Sequence, residues 1–514
     1  MMYPEVGLVS QKLITKYARQ AARQERKKLL KTFWLVVILF LFLEALISKT
    51  PYFSSFLGAY LITFAAFLPS YLWCSGKALG FPIFPIYALT YLWTHAIPLL
   101  NNTQTVTFAR SIGGFTNSAD GQFLASTTTA GFLCLGTFVW LQFVKTASKP
   151  PKIFRAFNGK KGELFFFFGI TFDIIFNMAR IGGWLNLGKF YPIITGISIG
   201  LSTLSIFVLS YRFGAKEISK SKANLFLILF ISLCLINALN FALVGSLAMI
   251  LLSILAYIAS SQKLPWKVII IAFLCFSLLH FGKGDMRAKY WWGNRNPYFQ
   301  PSAYPALYEE WIGYSFKNFQ QYVSTSDQPK TANSRQSLVD RGGLIQLLVL
   351  VQEKTPKDLP YLNGSTYATI PKLLLPRFLN AKKIASHEGT FILSIYYGLQ
   401  TRADTLTTTI GWGLLNEAYA NFGFLGCTLL AVVVGSIYGQ ATRWSMHTPL
   451  LAARSLFSVV LLSFAFQTEY ISGVYVSSLF QATGVLVVIT FVFMENQRNQ
   501  ESQVVVAGYD YQNN

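Results

Sequence analysis

NLFLILFISLCLINALNFALVGSLAMILLSILAYIAS, residues 224–260, contains no charged side chain. A helix needs about 20 apolar residues to cross the hydrocarbon core of a bilayer. This stretch is too long for one crossing and must turn back on itself near Ala242, which makes two spans joined by a tight turn. Outward from it, apolar runs of spanning or near-spanning length fall at 33–48, 52–73, 81–100, 122–144, 164–182, 190–210, 267–281, 416–440, 455–470 and 472–494. With the split pair, these runs predict an all-α polytopic integral membrane protein of about twelve transmembrane helices.

Composition agrees. Of 514 residues, 53% are hydrophobic and 12% charged, against roughly 25% charged in soluble domains, and the mean hydropathy is +0.43. The N-terminal basic region leads into a full-length span with no small-residue cleavage site, so the first span is read as a retained anchor. The formal net charge of +22 does not point to nucleic acid. Lys12, Lys16, Arg19, Arg23, Arg26, Lys27, Lys28 and Lys31 precede the first span, where positive-inside topology and anionic head groups select them. The five cysteines, in or at the ends of apolar runs, form neither a disulfide framework nor a metal spacing.

Loop charge fixes the expected orientation. With the N-terminus inside, the basic loops 145–161, 211–222, 261–267 and 441–454 all fall inside, and the alternate loops are nearly free of Lys and Arg. The expected division is a basic cytoplasmic tail over 1–32, spans one to nine over 33–281, one large extracytoplasmic loop over 282–408, spans ten to twelve over 409–494, and a polar cytoplasmic tail over 495–514. No inverted internal repeat of the transporter kind is visible. Glu44, His95, Asp173, Arg180, His280 and Glu469 lie in or at the ends of apolar runs. Ionisable groups at such depth are functional candidates, but Asp173 and Arg180 share a helix face and are equally explained by pairing between helices.

The outer loop is where chemistry is expected, since a connection of this length is functional or disordered and this one carries aromatics and apolar runs. From Lys283 to Asp404 it holds about fifteen Lys and Arg against about nine Asp and Glu, a cationic surface suited to an anionic ligand that lives in the membrane. Lys283 and Arg287 follow span nine, ahead of Trp291 and Trp292. Arg335 and Arg341 frame SLVD before Gly342, Gly343 and the apolar LIQLLVLVQE. That run is too short to span and is expected to form an interfacial or re-entrant helix. Its glycine-rich start either exposes backbone N–H groups to an anion or is a plain turn. Then come Tyr361, Gly364, Thr366 and Tyr367, a proline-stiffened PRF turn with Arg377, His387, a second short apolar piece at 389–399, and Arg402. His387 is either a general base or a structural histidine. Glu417, at the start of span ten, is either a base or a carboxylate stabilised by a helix dipole.

A many-span protein whose outer loop carries such arginines, a G-S-T-Y element (364–367), a P-R turn (376–377) and N-E-A-Y-x-N-F-G (416–423) at the start of a late span resembles the O-antigen-polymerase-like (Wzy-type) oligosaccharide repeat unit polymerases. The resemblance in topology covers most of the chain, and the local motifs cover 283–426. It departs after Arg377, because Lys383 is followed by Ile384 where relatives carry a K-P pair. It implies a GT-C-like membrane glycosyltransferase, independent of metal and cofactor, in a bacterial inner membrane with both termini cytoplasmic. Such an enzyme transfers a growing glycan from undecaprenyl pyrophosphate onto a new lipid-linked repeat unit. Arg287, Arg341 and Arg377 would then hold pyrophosphate, with Lys283, Arg335, Arg402 and Tyr367 as further substrate-binding candidates. Glu417, His387 and Arg341 would be the catalytic candidates. Implied partners are undecaprenyl-pyrophosphate-linked oligosaccharides, the bilayer, a chain-length regulator and a flippase, with no nucleic acid. An O-antigen ligase shares most of these features. A flippase for the same lipid-linked sugar is the alternative of another class, but would spread charge through a central cavity.

Overall fold

A computed structural model describes residues 5–100, 118–157, 162–185, 187–291, 298–324, 343–375, 383–406 and 408–498. It is all-helical, with 76% helix and almost no strand. Among the described residues, ten helices are long and apolar enough to cross a membrane. In chain order the long helices are α1 (Glu5–Ile47), α2 (Phe53–Cys74), α5 (Ala119–Val144), α6 (Glu163–Ile181), α7 (Tyr191–Gly214), α8 (Lys220–Ala238), α9 (Leu243–Ser261), α10 (Trp266–Tyr290), α15 (Leu414–Ser445) and α17 (Ser472–Phe493). The turn near Ala242 is present between α8 and α9, with Phe241 at φ 50°.

Two of the twelve expected spans are corrected. The run 81–100 is not one regular helix but α3 (Ile83–Tyr91), a π-helical turn Leu92–Ala96 and α4 (Ile97–Leu99). The run 455–470 is the shorter α16 (Ala453–Ala465), after which the chain turns. Both elements still join opposite ends of the bundle. At one end Thr442 Oγ1 donates to the Phe81 carbonyl, Leu79 N–H donates to Val144 O, and Ala156 bridges Ala452. At the other end Lys49 N–H donates to Leu100 O, and Gly413 N–H donates to Glu469 O at 3.1 Å. Chain running from Phe81 to Leu100, and from Ala452 to Glu469, therefore passes from one end to the other.

The basic loops share the first of these ends. There β1 (Ile153–Ala156) pairs antiparallel with β2 (Glu495–Arg498), Ile153 facing Arg498 and Ala156 facing Glu495. Lys222 in the first turn of α8 bonds Glu163 at the start of α6 at 2.8 Å. Alternating loop charge and the contacts of the folded chain thus sort the connections into the same two groups. Between the ends, small residues let helices approach closely: a Cβ on Gly435 of α15 would lie 2.6 Å from the Gly136 carbonyl of α5. Asp173 and Arg180 are joined through Asn177, which donates to Asp173 at 3.0 Å and accepts from Arg180 at 2.9 Å, while Ser198 of α7 donates to Asp173. This is pairing within and between helices.

The outer segment divides into two parts. Helix α10 runs on to Tyr290, past the expected span end at 281, so Lys283, Asp285, Arg287 and Lys289 are helical. Across it packs α11 (Tyr304–Ser324). Trp311, fully buried, donates to the Leu279 carbonyl at 2.8 Å and sets its ring edge-on to Phe241. The second part is drawn into the bundle. Helix α12 (Leu344–Lys354) buries every residue from Leu344 to Val351 in the hydrophobic core that also contains residues of α5 and α15, so it is a core helix rather than an interfacial one. Its Gln352 donates to Thr128 of α5 at 2.8 Å. Two short helices follow, α13 (Ile370–Leu374) and α14 (Glu388–Tyr396).

Candidate functional site

The N-E-A-Y-x-N-F-G sequence forms a broken helix. Within α15, Phe422 (φ −143°, ψ 15°) and Gly423 (φ 60°, ψ −143°) leave helical geometry. Gly423 needs the left-handed region, and a Cβ there would sit 2.6 Å from the Tyr361 hydroxyl. The break releases two carbonyls from the helical ladder, and buried carbonyls must find donors. They find them in the outer segment: Leu362 N–H donates to Ala420 O at 3.0 Å and Asn363 N–H to Asn421 O at 3.2 Å. The buried Asn421 side chain completes the clamp. Its Oδ1 accepts from Gly364 N–H at 3.0 Å, and its Nδ2 donates to Thr366 Oγ1 and to Glu417 O at 2.9 and 2.8 Å. Irregular backbone at this level is tolerated because it is enclosed by protein.

Glu417 lies one turn before the break and is fully buried. Its Oε2 accepts from Ser472 N–H at 2.6 Å and its Oε1 from Ser472 Oγ at 2.8 Å. The Thr366 hydroxyl makes a further hydrogen bond to the same carboxylate. Glu417 therefore caps the N-terminus of α17, where orphan N–H groups and the helix dipole favour an anion. Gly389 at the start of α14 completes the convergence, since a Cβ there would lie 2.6 Å from Ile471 Cδ1 and 3.6 Å from Thr366 Cβ. Segments 361–367, 387–391, 416–423 and 469–473 thus meet around Thr366.

The expected site residues fall into three groups. Glu417, Tyr367, His387 and Arg402 belong to this convergence. The Tyr367 ring stacks on Phe422, centroids 6.1 Å apart, and burial, then the nearby Glu417 charge, raise its pKa. His387 precedes α14, and burial holds its imidazole below the ordinary value of 6.5, in the neutral form a base requires. Arg402 reaches back to Glu388 with contacts of 3.0 and 3.4 Å and lies over the Phe391 ring. Lys283 and Arg287 belong instead to the α10–α11 part, where Arg287 donates to Phe241 O at 2.8 Å and stacks on Trp291. Arg335, Arg341 and Arg377 lie outside the described residues. Among the described residues, no group of three or more His, Cys, Asp or Glu is placed to hold a metal ion.

A cavity of about 20 Å³ lies beside the start of α15, walled by Tyr91, His95, Leu344, Asn416, Thr468 and Tyr475 among others. His95 and Asn416 are both buried. The sequence singles out His95 only as a charge inside a span. Its neighbour across the cavity, Asn416, stands in the quoted motif beside Glu417, yet the helical turn aims the two side chains apart. The clamp roles of Asn421 and Ser472 are likewise absent from the sequence reading, for their partners are remote in the chain. No family model, no curated protein and no solved structure matches this chain.

Proposed function

We propose that this protein is a membrane glycosyltransferase, a lipid-linked oligosaccharide repeat unit polymerase acting where the outer segment meets the bundle. The observation that carries the reading is the convergence on Thr366: the sequence elements on which the family resemblance rests, G-S-T-Y and N-E-A-Y-x-N-F-G, are the ones that bond to each other. The cationic surplus of the outer segment supports a pyrophosphate-bearing donor, whose leaving group needs its developing charge neutralised. In this reading Tyr367, His387 and Arg402 face the substrate, and Glu417 positions the start of α17. The acceptor hydroxyl attacks the anomeric carbon of the donor glycan, and the carrier pyrophosphate departs with the bonding electrons.

The test is a gel profile of surface and carrier-linked glycan from a strain lacking the protein beside its parent. Loss of the long-chain ladder, with single repeat units still delivered outside, is the expected result. Full-length chains accumulating on the carrier outside would assign a ligase instead, and single units trapped on the inner face a flippase. Arg341→Ala is expected to abolish polymer at normal membrane abundance, and polymer persisting in that variant would remove Arg341 from the site.

A further inference from the structure

We infer that α11 is a membrane-surface helix: the face formed by Ile312, Phe316 and Phe319 lies among the acyl chains of the leaflet at this end of the bundle, and the polar face turns to head groups and water. The inference stands apart from the polymerase reading and concerns how the outer segment meets the bilayer.

Three observations carry it. The first is that α11 has three faces. Leu307, Trp311, Ser315 and Asn318 are buried, and the last three bond to α10. Glu309, Lys317 and Gln320 are polar and exposed. Between these faces Ile312, Phe316 and Phe319 stand at i, i+4 and i+7, one stripe of a helix, and they are 39%, 51% and 44% exposed. One apolar stripe is enough to pack a helix on its neighbour. A second, left open, calls for a second apolar surrounding.

The second observation is depth. Helix α11 crosses α10 at Gly282, where a Cβ would lie 2.6 Å from the Trp311 carbonyl. From that crossing, adjacent side chains run opposite ways along α10. Glu310 accepts from Lys289 and Tyr290 at 2.6 and 2.7 Å, whereas Trp311 reaches back to the Leu279 carbonyl at 2.8 Å, points about 15 Å apart along the helix axis. Tyr308 donates to Leu235 O at 2.6 Å, in the last turn of the spanning α8, and the Phe319 ring meets Phe281 of α10 edge-on. The apolar stripe, on the side of Tyr308 and Phe319, therefore faces the spans, and the Glu310 side faces away from them. The third observation is continuity. Leu235 ends an exposed stripe of α8 that includes Ile228 and Ile231, and α10 exposes Ile270, Ile271, Phe273 and Leu274. On helices that cross a membrane these are surfaces for lipid, and Tyr308 and Phe319 join the α11 stripe to both helices. A helix with such faces lies in the interface plane, its apolar side about 5–10 Å into the boundary of head groups and acyl chains. It keeps Lys283 and Arg287, just beyond the crossing on α10, at the depth of the lipid phosphates.

The experiment uses the full chain in nanodiscs of phosphatidylethanolamine and phosphatidylglycerol. Photoreactive p-benzoylphenylalanine replaces Ile312, Phe316 or Lys317 in turn, and adducts are weighed by mass spectrometry after illumination. Insertion into acyl C–H bonds, with the mass of one phospholipid added, is expected from the replacements of Ile312 and Phe316 and is lost with that of Lys317. A cross-link to a second copy of the chain from either apolar position would overturn the inference in favour of a subunit interface. No adduct at either would overturn it in favour of a face open to water, and equal lipid adducts at all three would mean a helix immersed in lipid, which contradicts it too. Should these proteins fail to accumulate, Ile312→Cys and Lys317→Cys are labelled with a water-soluble maleimide, in a chain whose exposed Cys134 and Cys275 are changed to alanine. Ile312→Cys is expected to react at least about tenfold more slowly, because the reactive thiolate forms poorly in apolar surroundings. Equal rates would refute the placement.

Discussion

The two parts of the outer segment are held to the bundle in different ways. Residues 343–375 and 383–406 are drawn into the bundle and bonded there by buried polar groups: backbone carbonyls released by the break at Gly423, the Asn421 side chain, and the Glu417 carboxylate on Ser472. Residues 298–324 lie across α10 and are held by aromatic stacking around Phe241, Tyr290 and Trp311 and by hydrogen bonds of Trp311, Ser315 and Asn318 to α10, with charges such as Lys289 and Glu310 paired at the surface. A buried polar network is costly to leave incomplete, whereas an exposed ion pair such as Lys289–Glu310 tolerates change. The first part is built to fix positions, and the second to attach a charged surface.

Substitutions sharpen this contrast. The largest effect is expected from Gly423→Ala, which meets both the left-handed backbone cost and the Tyr361 hydroxyl. A loss of about 2–4 kcal/mol should appear as lowered abundance and an earlier unfolding midpoint in detergent. Asn421→Ala follows, leaving Gly364 N–H and Thr366 without their partner at a cost of about 2 kcal/mol. Glu417→Gln keeps the shape but loses the charge and one acceptor for Ser472. It should destabilise by about 1–2 kcal/mol, measured in the same assay. At the other extreme, Lys289→Ala breaks an ion pair whose lysine is half exposed and should shift stability by under about 0.5 kcal/mol. A large loss in Lys289→Ala, or none in Asn421→Ala, would break the comparison.

His387 supplies a smaller and pH-dependent effect. Burial holds its folded pKa below the ordinary 6.5, so the unfolded chain binds more protons than the folded one as pH falls below that value. The contribution is intact above about pH 6.5 and is lost progressively below it. The unfolding midpoint should fall between about pH 8 and about pH 5, and His387→Gln should flatten part of that slope.

The bundle was legible because a membrane imposes length and hydropathy on each crossing, and loop charge adds an independent check. The places where the reading went astray have physical causes. Span ends are marked by polar residues only when the helix stops there, and α10 continues through Lys283 and Arg287 because its α11 partner covers it. The run 81–100 contains the side chains of Thr90, Thr94 and His95, and no hydropathy rule distinguishes a π turn from an α turn. The candidate site was legible in its residues but not in its wiring. Glu417 and Asn421 stand four apart in the motif, while Ser472 and Thr366 lie 55 residues from their respective partners, and such pairings leave no local trace.

The most direct test of the central claim is reconstitution. The purified protein, in lipid nanodiscs, is given single repeat units on an undecaprenyl pyrophosphate carrier, and the carrier-linked products are resolved by size. Products of two and more repeats, with release of free carrier pyrophosphate and loss in Arg341→Ala, are the expected result. Single units recovered unchanged, from protein that still shows its native unfolding midpoint, would contradict the account.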